Sequence, residues 1–569
     1  METSPQAIVY YIGFLITIIF IIFPMSITIK KRKITLDYSN MPIIIVLILT
    51  LSTCVPIEVF IRGILGKYSP SFASDVNSSS ELVPLTVIIL FLSLAYVCLS
   101  ADDTGLFKFV ANKLAVLALK SKDPDIVGLT CFYLFSAIFT LVTSNDIVVL
   151  TLTPIILQFI SSTKSKGLLP LLLAQFTAAN SFSAGLLSGN PSNIILTSVF
   201  RIDFITYLKN LLLPAIVSGL VIYIYCYILS KSINSKKSKI IPHKQISSTV
   251  SIDIIANNKD NKDNKDNKDN NNKDNNNNIT NNNIENSDKL EIKNNENIIV
   301  SSSTVIPPTA SPSITTQTIK SEDNNNKNNI SNSIKIEANK KLVKGEYLSG
   351  NAKVSIFLVI LLLVSFILSS PIQSAYPSFE IWYVAVFMLV ITLIKDILFK
   401  CVDHSLSIWT IITKLPWKVP LFLFAMFILV EGGVYYGLIH DIALLLTNYI
   451  VIPGLQNYGE YPIVLFFIIL TCIACCIFNN LPATIVLSRI LNEPILLEAL
   501  GKTGTLVVYA TSAGTNFGAC ILPHCALAGL MWSSMIDDKQ VLKKIWIHGS
   551  ILCLLMCFVC TGIQMLQTL

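Results

Sequence analysis

The sequence predicts an all-α polytopic membrane protein of about ten transmembrane helices and two re-entrant hairpins, set out as two inverted repeats. Three observations carry this. Of 569 residues, 52% are hydrophobic and only 14% charged, although the middle of the chain is intensely polar. Apolar runs long enough to cross a hydrocarbon core recur on both sides of that polar segment. Short polar landmarks then follow one another in the same order in the two apolar halves.

A hydrocarbon core about 30 Å thick needs about 20 residues of helix at 1.5 Å each. Runs of that order extend from Ile8 to Ile29, Pro42 to Leu65, Leu82 to Ser100, Tyr207 to Ser230, Val354 to Ser370, Ile381 to Phe399, Leu421 to Leu438 and Ile545 to Met565. In lipid every backbone polar group needs an internal partner, so these runs read as helices. The first lacks a basic leader and ends in Pro24 and a basic cluster, which marks it as a retained helix rather than a cleaved signal. The 13 cysteines lie mostly inside apolar runs without metal-ligand spacing, and their default role is that of small hydrophobes. No metal or cofactor is called for. No GxxxxGK[ST] phosphate loop occurs, and nothing points to nucleic acid or to an enzyme.

The polar segment divides the chain into an N-terminal repeat (1–230), an Asn-rich cytoplasmic linker (231–345) and a C-terminal repeat (346–569). Asn, Asp, Lys, Ser and Thr dominate the linker, including KDN triplets from Lys259 to Asn270, and it cannot bury enough apolar surface to offset ordering entropy. Lys30, Lys31, Arg32 and Lys33 place the first loop in the cytoplasm. The second loop is then external, where the sequon at Asn77 is open to glycosylation. Lys108, Lys113, Lys120 and Lys122 mark the next cytoplasmic loop, and Lys231, Lys236 and Lys237 keep the linker inside. The second half starts inside and repeats the pattern, so it runs in the opposite orientation. Acidic Glu460, Glu493 and Glu498 flank its hairpin where lysines frame the first.

The matched landmarks are TGLF at Thr104 to Phe107 with YGLI at Tyr436 to Ile439, SNDIVVLTLTPIIL from Ser144 with NNLPATIVLSRIL from Asn479, and SGNPSNIILTS from Ser188 with AGTNFGACILP from Ala513. Inverted-repeat transporters bind near the bilayer midplane, where interrupted helices offer free backbone groups and helix-end dipoles. The expected substrate or ion site is therefore Ser144, Asn145 and Asp146 at the first hairpin tip, and Gly189, Asn190, Pro191 and Asn193 at the first break. Its counterpart is Asn479, Asn480 and Pro482 at the second tip, with Gly514, Thr515 and Asn516 at the second break. Gly tolerates unusual backbone angles there and Pro removes a donor. The competing reading makes these residues helix caps and kinks without ligand contact.

These same stretches, TSNDIVVLTLTPIIL, LLSGNPSNII, FNNLPATIVLSR and GTNFGACILPHCALAGLMW, resemble the arsenite permease branch of the ion transporter superfamily. That grouping also holds NhaD-type sodium/proton antiporters, the melanosomal P protein, plant silicon effluxers and, more distantly, citrate and dicarboxylate symporters. The resemblance covers Val83 to Phe200 and Leu421 to Ser534. It implies that the tips and broken crossings form the translocation site, with an elevator-like or rocking motion. Asp146 stands where the symporters' first tip carries Thr in an SNT motif, which argues against carboxylate substrates, since an anion would meet a fixed negative charge there whereas a cation, a proton or neutral arsenous acid would not.

Ionisable groups at membrane depth are functional candidates by default. Asp146, Glu431 and His524 are the proton-relay candidates, against readings as a cap, a structural pair and a satisfied imidazole. Asp102 and Asp103 end the third helix, and Arg489 pairs or snorkels. An arsenite relay through Cys472, Cys475, Cys476, Cys520 and Cys525 competes with ordinary packing. The functional expectation is a plasma- or endomembrane permease exporting arsenite or antimonite. The alternatives are a sodium/proton antiporter or an inorganic or organic anion transporter of the same fold, or a sensor or scaffold acting through the linker. The partners expected are a small inorganic ion or oxyacid, a coupling proton or sodium, and the lipid bilayer; a homodimer stays open.

Overall fold

Ser4 accepts a hydrogen bond from the Ala7 amide (3.2 Å) and Pro5 stands in the first turn, and from this cap α1 (Pro5–Ile22) begins. The computed structural model describes residues 4–23, 25–29, 32–66, 84–163, 167–235, 349–376, 378–402 and 408–568. The sequon at Asn77 and nearly all of the linker lie outside the described residues. The helices belong to one unit built from both halves of the chain, residues 1–240 and 328–569.

Two of the expected runs are divided. The first ends at Ile22 rather than Ile29, and Met25–Ile29 (β1) pairs antiparallel with Arg32–Leu36 (β2), Ile27 opposite Ile34. Pro24 discourages the helix from continuing, and the alternation of Ile and Thr that follows suits a strand. This hairpin is the one departure from helix among the described elements. The run from Pro42 to Leu65 becomes α2 (Met41–Leu51) and α3 (Ile57–Leu65), separated by Thr53 at φ 56° and by Pro56.

The N-terminal repeat continues with α4 (Pro84–Asp103), α5 (Leu106–Leu119), α6 (Pro124–Val142), α7 (Asn145–Thr163), α8 (Leu168–Ser183), α9 (Pro191–Val199) and α10 (Phe204–Ser235). The last of these carries its helix five residues past the expected start of the linker, to Ser235. The C-terminal repeat opens with α11 (Gly350–Ala375), α12 (Ile381–Val402) and α13 (Ile408–Lys414). It continues through α14 (Lys418–Tyr435), α15 (Leu438–Leu446), α16 (Ile452–Tyr458), α17 (Glu460–Phe478) and α18 (Asn480–Leu491). The chain closes with α19 (Pro494–Leu500), α20 (Thr503–Phe517), α21 (Leu527–Ser534) and α22 (Lys539–Thr568). Among the described residues, 11 helical segments are long and apolar enough to cross a membrane. The chain is a multi-pass membrane protein.

The two halves repeat each other in backbone detail. Helices α4 and α14 both end in a glycine at φ 76°, Gly105 and Gly437, from which α5 and α15 start; a left-handed turn of this kind suits a residue without Cβ. The hairpins are α6 with α7 and α17 with α18. Three of these arms have 19 residues, about 28 Å of helix, whereas α18 has 12. After α8 the chain is extended at Leu186, makes one 3-10 turn over Leu187–Gly189, is extended again at Asn190 and enters α9. After α20 it is extended at Leu522, makes one 3-10 turn over Pro523–Cys525, is extended at Ala526 and enters α21. At the breaks each equivalent position lies 336 residues on, a register that also pairs Asn180 with Asn516 and Thr143 with Asn479.

That register corrects the sequence match at the second break. Gly514, Thr515 and Asn516 lie inside helix α20, not at an interruption, and the break falls at Ile521–Ala526. The glycine serves close packing instead: a Cβ on Gly514 would stand 2.8 Å from the Ile468 carbonyl oxygen of α17. The helix therefore continues through residues that look like breakers in isolation.

Packing then interleaves the halves. Helix α9 lies on α18, α21 on α7, α8 on α20 and α10 on α22, so each short helix after a break rests on the hairpin of the other repeat. Phe176 of α8 stacks on Trp532 of α21 at 4.4 Å, and Trp532 meets Trp546 of α22 edge-on at 5.8 Å. Opposite mounting of the repeats leads to a direct test: single cysteines introduced at Lys122 and Asn457 should react with an impermeant maleimide from opposite sides of the membrane. Labelling of both from one side would exclude the inverted arrangement.

Candidate functional site

The first hairpin turns at Thr143 and Ser144. Asn145 Nδ2 donates to Asn180 Oδ1 on α8 (2.9 Å), and Asn145 Oδ1 accepts from the Asp146 amide (3.0 Å). The tip is thereby tied to the broken crossing of its own repeat. Asp146 sits half-buried in the first turn of α7, where the helix dipole favours a carboxylate.

At the first break, Asn193 Nδ2 donates to the carbonyls of Ser183 (2.7 Å) and Leu186 (2.9 Å), which the interrupted ladder leaves exposed. Asn190 Oδ1 caps α9 by accepting from the Ser192 amide (3.2 Å), with Pro191 in the first turn. Gly189 is required by crowding, since a Cβ would fall 2.4 Å from the Ser183 carbonyl oxygen.

Asn516 joins this break to the other repeat. Its Oδ1 accepts from Ser183 Oγ (2.7 Å) and Asn190 Nδ2 (2.9 Å), and its Nδ2 donates to Asn193 Oδ1 (2.8 Å) and to the Ser512 carbonyl (2.8 Å). Around it, Thr515 Oγ1 donates to Ser192 Oγ (3.1 Å) and Ser512 Oγ donates to Asn193 Oδ1 (3.3 Å). Tyr207 OH donates to the Ala184 carbonyl (3.0 Å). All these side chains are buried. The structure thus brings Asn190, Asn193, Thr515 and Asn516 into one network, although it moves the last two from a break into a helix interior.

The second tip is built differently. Asn479 has φ 73°, a backbone that Asn tolerates better than most residues, and its Oδ1 accepts from the Leu481 amide (3.4 Å). Its Nδ2 donates to the carbonyl of His524 (2.9 Å), whose Nε2 lies 2.9 Å from the Cys476 carbonyl. His524 therefore fastens the second tip to the second break. Asn480 and Pro482 are buried in the first turn of α18.

Between the first tip and the first break lies a cavity of about 30 Å³, lined by Thr143, Ser144 and Ile147, by Ser188 and Pro191, and by α4 residues such as Cys98. That is room for about one or two waters. Ser188 Oγ is buried there without a hydrogen-bond partner among the described residues. Ser188 was present in the sequence motif but not singled out, because a serine beside a glycine is unremarkable until its surroundings are known.

The ionisable candidates separate. Glu431 of α14 is buried and receives Arg489 of α18 and, at 3.4 Å, Arg62 Nε of α3. Asp102 accepts from Thr151 Oγ1 of α7 (3.4 Å), while Asp103 pairs with Lys414 (2.6 Å). Each half thus links its α4-type helix to the return arm of a hairpin through a carboxylate. Sequence reasoning overlooked Lys395 and Asp396, adjacent charges inside an apolar run. Lys395 Nζ lies 2.7 Å from Asp396 Oδ1 and donates to Ser100 and Ser355 (2.9 Å each), and Asp396 Oδ2 accepts from Tyr96 OH (3.0 Å). A buried ion pair is retained only with such additional bonds. It anchors α12 to the cavity-lining helix α4.

A family model described as a citrate transporter, CitMHS, matches residues 18–514, which include both hairpin tips, the first break and α20 as far as Gly514. The chain belongs to the citrate transporter family, CitMHS, and is a secondary membrane transporter of the citrate or anion type.

Proposed function

We propose that this protein moves a small carboxylate-bearing anion, and that the anion is received where the hairpin tips meet the broken crossings. The observation that supports this most is the cavity at the first tip, where the unsatisfied Ser188 hydroxyl borders the Asn190, Asn193 and Asn516 network. Amides, hydroxyls and the start of α9 are donors suited to carboxylate oxygens. A cavity of about 30 Å³ is too small for such an anion, so the described conformation is closed, and loading requires tip and break to part. Arsenite efflux, the first expectation from the sequence, finds no support in the family match, whereas the anion alternative fits it. The arsenite permease branch is likewise a finer placement than that match supports.

Asp146 bears on coupling. A fixed carboxylate at the tip repels an incoming anion, so the proposed cycle brings a proton or a cation with the substrate to offset that charge. Glu431 is the second coupling candidate. Protonating it would release Arg62 and Arg489 from a shared partner, changing how α3, α14 and α18 are held together.

Proteoliposome uptake tests these assignments. Labelled citrate should accumulate under an imposed proton or cation gradient, and Asn516→Ala should lower the rate by at least about tenfold, the scale of losing about 1–3 kcal/mol at a buried, multiply bonded amide. Citrate flux equal to that of empty vesicles, with arsenite flux present, would reject the anion reading. Glu431→Gln, which removes the charge and keeps the shape, should leave uptake insensitive to an imposed pH gradient; undiminished sensitivity would remove Glu431 from coupling.

The three-part division of the chain, with residues 231–345 as a linker, is also a proposal. Deleting residues 245–340 should leave citrate uptake within about twofold of the full chain, as expected for a tolerated spacer. Abolished uptake by a correctly inserted deletion protein would favour the sensor or scaffold reading.

A further inference from the structure

Three thiols converge behind the second broken crossing. Cys472 of α17 lies with its Sγ 3.6 Å from Cys553 Sγ and 3.7 Å from Cys557 Sγ, both of α22, and all three sulfurs stand within 4.8 Å of one another. The cluster is buried, and Cys472 Sγ also donates to the Gly514 carbonyl at 3.4 Å, so it touches α20 as well. Three sulfurs bound to one pyramidal centre at about 2.3 Å stand about 3.5 Å apart, and about 4 Å apart where the centre is planar. The trio needs only small side-chain adjustments to reach that arrangement.

Burial decides which centre fits. Three thiolates on a divalent ion leave a net negative charge in a low-dielectric interior, which is costly without a counter-ion. A trivalent thiophile leaves none. Arsenous acid, As(OH)3, reacts with three thiols by breaking three As–O and three S–H bonds and forming three As–S bonds and three waters. The arsenic stays trivalent, no oxidant is consumed and the product is neutral. We propose that Cys472, Cys553 and Cys557 form a three-thiol site for trivalent arsenic or its antimony analogue.

Such an adduct joins α17 to α22 covalently, beside the helix that carries Asn516. Release requires all three As–S bonds to be hydrolysed before any one of them re-forms, so bound arsenic leaves slowly. The site is therefore a lock on the transporter and not a station on a transport route. This inference is independent of which anion is carried, because it concerns occupancy of the thiols.

The test uses the purified full-length chain, incubated with sodium arsenite, freed of unbound arsenic by gel filtration and measured by elemental mass spectrometry. About one arsenic per chain should be retained, with a three-sulfur shell in X-ray absorption at the arsenic edge. Cys472→Ala and Cys557→Ala, each checked for a monodisperse gel-filtration peak, should lower retention at least about tenfold. The Cys476→Ala/Cys525→Ala double variant, which removes a separate thiol pair 3.4 Å apart, should not. Retention unchanged in Cys472→Ala, loss only in the Cys476/Cys525 variant, or fewer than three sulfur ligands in the wild-type chain would overturn the proposal. So would stoichiometric retention of zinc in place of arsenic in a parallel incubation, since the charge argument excludes it.

Discussion

An interrupted helix inside a membrane exposes backbone groups that lipid cannot satisfy, and in this protein the answer to that constraint crosses between the two halves of the chain. Asn193 covers the carbonyls freed at the first break, Asn190 caps the helix that resumes, and Asn516 holds both from the other repeat. Each amide group has a donor side and an acceptor side, so three of them in contact can satisfy one another and the backbone together. Removing any member strands its neighbours in a dry environment, which is why such networks fix one arrangement of the surrounding helices.

Cross-packing follows from the same contact. With the first break joined to α20 through Asn516, α9 comes to rest on α18 and α21 on α7, so neither hairpin packs only within its own repeat. Motion of a tip away from a break must therefore disturb both halves. Two glycines mark close approaches of main chain here: Gly189 against Ser183, and Gly514 against α17. At these positions backbone meets backbone, and a side chain would have to displace main chain.

The repeats share a backbone course but differ in chemistry. Amides dominate the first break, whereas the second is fastened by the His524 main chain and imidazole. The carboxylate that links an α4-type helix to a hairpin return arm meets a threonine in the first half; in the second it meets Arg489 of that arm and also Arg62 of α3 from the first half. A transporter built from matched halves needs such differences, because identical halves would present identical chemistry to substrate and coupling ion. The Lys395–Asp396 pair, bonded through Ser100, Ser355 and Tyr96, adds a further anchor on the first half's cavity wall.

The sequence by itself determined the membrane class, the repeated order of elements and the two hairpin tips. Long apolar runs have one economical backbone solution in lipid, and polar residues such as Asn145 and Asn479 interrupting them have few roles other than ending a helix. The same local logic failed at Gly514 to Asn516, whose composition resembles a break although close packing on α17 keeps it helical. It failed again near Pro24, where a short β-hairpin replaces the end of an apolar run. Only tertiary structure could decide that Asn516 answers Asn190 and Asn193, that Ser188 is left without a partner among the described residues, that Glu431 is shared by two arginines, and that Cys472 meets Cys553 and Cys557. These residues lie far apart in the chain, and what each does depends on which groups packing brings within a few ångströms of it.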